Sequence, residues 1–227
     1  MRLPKILLSA AVMAPVLCAL STGAKVPQTG DDSELKIVDV STDKARYAPS
    51  EPVKVDVTFK SANSLAPSEA NIAISLQERG ETMKTFQRSI SVHAGSTQHA
   101  ELTLNPPVAD FHGYRIEVRI STRDGHLLAT GSSAVDVSSN WSRFPRYGYL
   151  AHFDADIPTE QWIAQLNRFH IDGLQFYDFQ YKHHWPLPPP AMAKTEWHDI
   201  ANRSIAAHTL LGFLQGAKAH NMTTMAY

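Results

Sequence analysis

Residues 162–179 read Trp162-Ile163-Ala164-Gln165-Leu166-Asn167-Arg168-Phe169-His170-Ile171-Asp172-Gly173-Leu174-Gln175-Phe176-Tyr177-Asp178-Phe179. Trp162, Ile163, Leu166 and Phe169 recur at the spacing that places apolar side chains on one face of a helix, and Gly173 stands just beyond its end. Residues 174–179 are then mostly apolar on both parities, as a strand buried on both faces of a parallel sheet requires. Downstream, a polar, proline-rich loop carries His183, His184, Trp185 and the run 186–190. A second helix is expected from an N-cap at Ser204, with Leu210, Leu211, Phe213 and Leu214 as its apolar positions, and residues 222–227 begin another apolar strand. Helix, strand, long loop, helix, strand is the opening of an α/β domain.

Upstream of Asn140 the period is two. Val53, Val55, Val57 and Phe59 alternate with Lys54, Asp56, Thr58 and Lys60, and Tyr114, Ile116, Val118 and Ile120 alternate with Arg115, Glu117 and Arg119, so each run is a strand with one wet face. Further strands are expected over 35–40, 72–77, 84–92, 100–104 and 133–137, divided by turn-rich pieces at Ala66-Pro67-Ser68, Arg79-Gly80 and Arg123-Asp124-Gly125. Seven short antiparallel strands over about a hundred residues predict an immunoglobulin-like β-sandwich over 34–138. The segment Tyr47-Ala48-Pro49-Ser50-Glu51-Pro52-Val53 resembles the Y-x-P-G-E-x-V entry to the second strand of many extracellular sandwiches, with Ser50 where glycine is usual. Between the two grammars lies an aromatic cluster, Trp141, Phe144, Tyr147, Tyr149 and Phe153, read as the apolar seam joining the halves rather than as a surface platform for sugars.

Charge excludes some functions. With 21 basic against 22 acidic side chains, there is no basic surplus to neutralise phosphates, so no nucleic-acid partner is expected. At the N-terminus, Arg2 and Lys5 precede an uncharged apolar stretch over 6–20 that ends in Ser21, Thr22, Gly23 and Ala24. This reads as a signal peptide over 1–24, followed by a linker over 25–33, and implies a secreted or periplasmic protein with no membrane attachment after cleavage. The apolar run is too short for a spanning helix, which needs about 20 residues, and it contains Pro15. Pro15, Val16 and Leu17 do not supply the small residues of a lipobox before Cys18, the one cysteine, so the mature chain is expected to fold without disulfides.

Three segments then carry a family resemblance: Phe144-Pro145-Arg146-Tyr147-Gly148-Tyr149-Leu150, the run 165–184 with its Tyr177-Asp178-Phe179-Gln180-Tyr181-Lys182-His183-His184 core, and Trp197-His198-Asp199-Ile200-Ala201-Asn202-Arg203. Together they resemble glycoside hydrolase family 66, the dextranases and cycloisomaltooligosaccharide glucanotransferases. The likeness is dense over 141–227 and, over the sandwich, one of order and length. Phe179 stands where many members carry tryptophan. The resemblance implies an immunoglobulin-like domain ahead of a (β/α)8 catalytic barrel, a retaining mechanism, and α-1,6-glucan as substrate, cut internally or transferred within the chain. A whole barrel takes about 250 residues, so residues 141–227 are read as its incomplete N-terminal part and the chain as an N-terminal fragment. The family's catalytic aspartate and glutamate belong to later strands. No catalytic residue is therefore assigned here, and the fragment alone is expected to be inactive.

For substrate binding, Tyr177, Asp178, Gln180, Lys182 and His184 are the candidates. A glucosyl unit offers a fan of hydroxyls and one apolar face, so its site needs carboxylate and amide groups beside an aromatic ring. The blander alternative packs Tyr177 into the barrel wall and uses His183 to cap a loop carbonyl. Asp178 with Glu196 makes a poor catalytic pair, since nothing in the sequence fixes their separation at the roughly 5–5.5 Å that a retaining mechanism needs. The eleven histidines form no H-E-x-x-H and have no cysteine partners, so no metal or other cofactor is expected. Three N-x-S/T triplets stand at Asn140, Asn202 and Asn221, of which the last two read as structural. The competing function class is a non-catalytic extracellular module for spacing or carbohydrate adhesion. Oligomeric state is not legible.

Overall fold

The computed structural model describes residues 34–64 and 68–227. The signal-peptide and linker readings fall outside the described residues, as do Ala66 and Pro67 of the first expected turn. The described residues form one compact unit.

All seven expected strands are present: β1 (Leu35–Thr42), β2 (Val53–Ser61), β3 (Ser68–Glu78), β4 (Glu81–Val92), β5 (Thr97–Leu104), β6 (His112–Thr122) and β7 (Leu127–Val137). They form two antiparallel sheets, ordered β1-β2-β5 and β4-β3-β6-β7. The alternation read from sequence is the alternation of burial. Val53, Val55, Val57 and Phe59 of one sheet meet Ile72, Ile74, Leu76, Ile116, Val118 and Ile120 of the other in a single core. The edge strand β4 is mostly exposed and carries Lys84 and Arg88, charges that discourage pairing with another chain. Arg79 and Gly80 link β3 to β4 with φ of 50° and 90°, the two left-handed residues of a tight hairpin turn. Ser50 likewise adopts φ 67°, which accounts for glycine being usual at that place in the motif.

After a 3-10 turn at Trp141–Arg143, initiated by the Asn140 side chain accepting from Ser142 N, the chain forms β8 (Tyr147–Leu150), α1 (Thr159–Arg168) and β9 (Gly173–Phe176). A second 3-10 turn at Met192–Lys194 follows. Then come β10 (Glu196–His198) and β11 (Ser204–Ala206), paired as a small hairpin, and α2 (Ala207–Ala219) and β12 (Thr223–Ala226). β12, β9 and β8 make an open parallel sheet in that order. Leu150, Phe153, Ile163, Leu174, Phe176, Trp197, Ile205 and Phe213 fill the core between this sheet, its helices and the hairpin.

Several local expectations change. β8 was not anticipated: it has four residues, and its Tyr147 and Tyr149 look like part of an aromatic cluster. β9 is consequently the second parallel strand, and it ends at Phe176 rather than continuing to Phe179. The helix face of α1 centres on Ile163, Leu166 and Asn167, whereas Trp162 flanks it and is exposed, and Phe169 falls past the last turn and is 73% exposed. Ser204 does not cap α2. It begins β11, because Ile205 pairs with Trp197 and is buried with it, and the helix starts only at Ala207.

The seam is polar, contrary to the reading of the aromatic cluster. Only Phe153 of that cluster is deeply buried, stacked 6.0 Å from Phe176 within the second core. The joint is made instead by the backbone that runs from the end of β1 into its connection with β2. Its carbonyls accept from Asn167 Nδ2 (to Thr42, 2.6 Å), from a His220 ring nitrogen (to Asp43, 2.6 Å) and from Asn221 Nδ2 (to Arg46, 2.8 Å), while Ala45 N donates to the His220 carbonyl at 3.0 Å. Below it, Arg146 pairs with Asp136 and its backbone N–H donates to Asp172 Oδ1 at 2.8 Å. Such bonds answer backbone groups that would otherwise be buried without partners.

Candidate functional site

The C-terminal ends of the three parallel strands converge on one cluster, the place where open α/β sheets and barrels build their sites. Each strand end brings a tyrosine: Tyr149 on β8, Tyr177 after β9 and Tyr227 after β12. Tyr177 N donates to the Leu150 carbonyl at 2.8 Å and Tyr227 N to the Phe176 carbonyl at 3.0 Å, so the ladder runs one residue past each strand. The Tyr177 and Tyr227 rings lie 4.0 Å apart, and Tyr149 meets Tyr177 at 6.4 Å in an edge-on contact. Hydrogen bonding to Tyr227 holds the Tyr177 phenol above its usual pKa.

Asp178 turns the chain out of the sheet with φ 51°, a left-handed conformation that aspartate tolerates better than most residues. Its Oδ2 lies 2.7 Å from Arg203 Nη2. Arg203 Nε is 2.7 Å from Asp199 Oδ2, and the two carboxylates raise the pKa of the guanidinium. Asp199 is buried. Its Oδ1 accepts from Ala201 N and Arg203 N, both at 2.8 Å, which closes the hairpin between β10 and β11 and fixes the arginine. Gln180 donates through Nε2 to the Tyr227 carbonyl, and its Oε1 is buried with no hydrogen-bond partner.

Of the five residues singled out from sequence, Tyr177, Asp178 and Gln180 stand together in this cluster. Lys182 and His184 lie on an exposed turn, where Lys182 N and Trp185 N each donate to the other's carbonyl at 2.9 and 3.0 Å. There Lys182 Nζ sits 5.1 Å from the Tyr181 ring centre and 5.7 Å from that of Trp185. Sequence reasoning missed Arg203, Asp199, Tyr149 and Tyr227. The four-residue spacing of Asp199 and Arg203 was the available signal for one contact. Nothing local links Arg203 to Asp178. Among the described residues no three His, Cys, Asp or Glu side chains are grouped to hold a metal, and no helix is long and apolar enough to cross a membrane.

The arrangement offers rings and a carboxylate held in one orientation, groups suited to holding hydroxyls. Comparison with known proteins bears on the family. Residues 42–227 match the sequence profile of glycosyl hydrolase family 66. Two cycloisomaltooligosaccharide glucanotransferases of Niallia circulans are similar to the chain. One is 29% identical over 217 residues, 93% of this chain and 22% of the relative; the other is 27% identical over 193 residues, 83% and 19%. A crystal structure of a Paenibacillus sp. cycloisomaltooligosaccharide glucanotransferase complexed with cycloisomaltoheptaose superposes with a TM-score of 0.74 at 28% identity, covering 85% of this chain and 28% of that one. The chain thus spans between 19% and 28% of the length of these relatives. By its sequence and its structure, the chain belongs to glycoside hydrolase family 66.

Proposed function

We propose that these residues serve an exported, retaining glycoside hydrolase that cuts or cyclises α-1,6-glucan, and that the strand-end cluster holds glucosyl units of its substrate. On this reading, residues 34–138 are an immunoglobulin-like domain and residues 141–227 are the opening of a (β/α)8 barrel, with β8, β9 and β12 as its first three strands. The nucleophile and the acid/base carboxyl are assigned to positions outside these 227 residues. Asp178 is a binding residue whose Oδ2 is taken by Arg203, leaving Oδ1 to accept from a sugar hydroxyl. The observation that carries the reading is the meeting, at the parallel strand ends, of the Tyr177 and Tyr227 rings with an Asp178 carboxylate oriented by Arg203: an apolar face beside a fixed acceptor is what a glucosyl unit needs. The Paenibacillus relative's complex with cycloisomaltoheptaose supports the substrate class.

The test uses the full-length enzyme carrying this region. Contacts beside a reacting sugar tighten as the ring distorts, so Asp178→Ala should lower kcat by more than it raises KM, with a loss of about 2–4 kcal/mol in transition-state stabilisation. Azide should not rescue activity, since rescue reports a missing nucleophile or base. Wild-type kinetics would remove Asp178 from the site, and formation of a glycosyl azide would make it the nucleophile.

A further inference from the structure

At the opposite end of the parallel sheet, before β8 begins, a second groove of about 350 Å³ opens between the β3–β4 turn, the start of β6 and the segment leading into β8. Two rings flank it. Phe111 adopts φ 62°, a conformation that bulky side chains rarely take, and Asp110 holds it there by accepting from Phe111 N at 2.9 Å and from Ser139 N at 2.8 Å. Phe144 faces it with ring centres 6.4 Å apart and is half exposed, while the Arg143 guanidinium lies 4.9 Å from the centre of the Phe111 ring and steadies it. The groove's lining carries two charges of each sign, Glu78 and Asp136 against Arg79 and Arg146; His112 Nδ1 meets Glu78 Oε1 at 2.8 Å, and Arg146 pairs with the buried Asp136. Gly113 is part of its lining, and a Cβ added there would meet no atom within 4 Å.

We propose that this groove is a second saccharide site, which takes one or two glucosyl units of an α-glucan away from the strand-end cluster. Equal numbers of acidic and basic side chains leave no surplus charge to draw an anionic or cationic partner, yet they keep donors and acceptors that hydroxyls can bridge. Two rings, one locked in a costly conformation, supply the apolar platform that a pyranose face needs. The volume falls in the range of small-molecule pockets, which begins at about 300 Å³. The choice of an α-glucan rests on the function proposed above; the site itself rests on the groove.

Affinity electrophoresis of the 227-residue chain through gels containing dextran tests it, with Phe144→Ala, Gly113→Leu and Asp178→Ala as variants. Gly113→Leu fills the groove through open space, and its melting temperature should match that of the wild type. Wild type should be retarded. In the Asp178→Ala background, each groove variant should weaken the remaining retardation by at least about fivefold, the loss of one aromatic contact or its space. Unchanged retardation in both groove variants overturns the proposal and leaves the strand-end reading standing. Loss of retardation in the groove variants alone, with Asp178→Ala unaffected, upholds the groove and counts against the strand-end cluster. A wild-type chain that no glucan retards contradicts the groove site, and the strand-end reading is then judged by the kinetics of Asp178→Ala.

Discussion

Arg203 carries one positive charge and touches two carboxylates, one of them on a hairpin and the other at a strand end 25 positions earlier. Its geometry is fixed from the Asp199 side, where the carboxylate is buried and also pinned by two backbone N–H groups. The Asp178 side is partly open to solvent, so the energetic link there should be modest. A double-mutant cycle of Arg203→Gln and Asp178→Asn, read by chemical denaturation, should give a coupling on the order of 1 kcal/mol, with Arg203→Lys restoring less than half because it cannot span both carboxylates. Zero coupling would mean that the arginine serves the hairpin only. Single residues were legible where the backbone decides. Asn202 and Asn221 stood in acceptor triplets yet read as structural, and both take left-handed φ, with Asn221 also bonded to the Arg46 carbonyl. The partner of Asp178 was not legible, because long-range contacts leave no periodicity.

At the scale of elements, β2, β3, β5 and β6 were readable since each has one wet and one dry face, a pattern that survives in a single sequence. The four-residue β8, set within an aromatic cluster, and the three-residue β10 and β11 were not. The end of α1 misled for another reason: Asn167 and His170 look like surface residues and are buried, because they answer carbonyls at the end of β1 and in its connection with β2. His170 should make this joint sensitive to pH. Burial pushes its pKa below the ordinary value, and the bond to the Ala45 carbonyl only partly offsets that. The unfolded chain then takes up a proton near pH 6.5 that the folded one still refuses, so the contribution is full above about 6.5 and is lost as pH falls through the lowered folded value. Denaturation midpoints should drop between pH 7 and pH 5 in the wild type, and the drop should shrink in His170→Asn. An equal slope in both would place the proton uptake elsewhere.

For the whole molecule, the change of hydrophobic period at Asn140 announced two kinds of architecture, and the structure has both. What joins them was hidden: the joint is a set of side chains reaching to carbonyls across more than a hundred residues of chain, as in Asn167 to Thr42 and His220 to Asp43. The strand-end cluster was half legible, through Tyr177, Asp178 and Gln180, and its other half required the hairpin and β12 to be folded against them. On the proposed function, the 227-residue chain should release no reducing sugar from dextran, because positioning groups without the two catalytic carboxyls cannot complete a displacement. Cleavage surviving controls for host enzymes would place the catalytic pair within these residues. The most direct test of the central claim, that the parallel strand ends bind α-1,6-glucan, is an NMR titration of the 15N-labelled chain with isomaltoheptaose and, separately, a cellooligosaccharide. The account predicts saturable shifts at the amides of Tyr177, Asp178 and Gln180 and at the Arg203 Nε–H with the α-1,6 sugar alone; silence at those resonances, or equal shifts with the β-linked sugar, would contradict it.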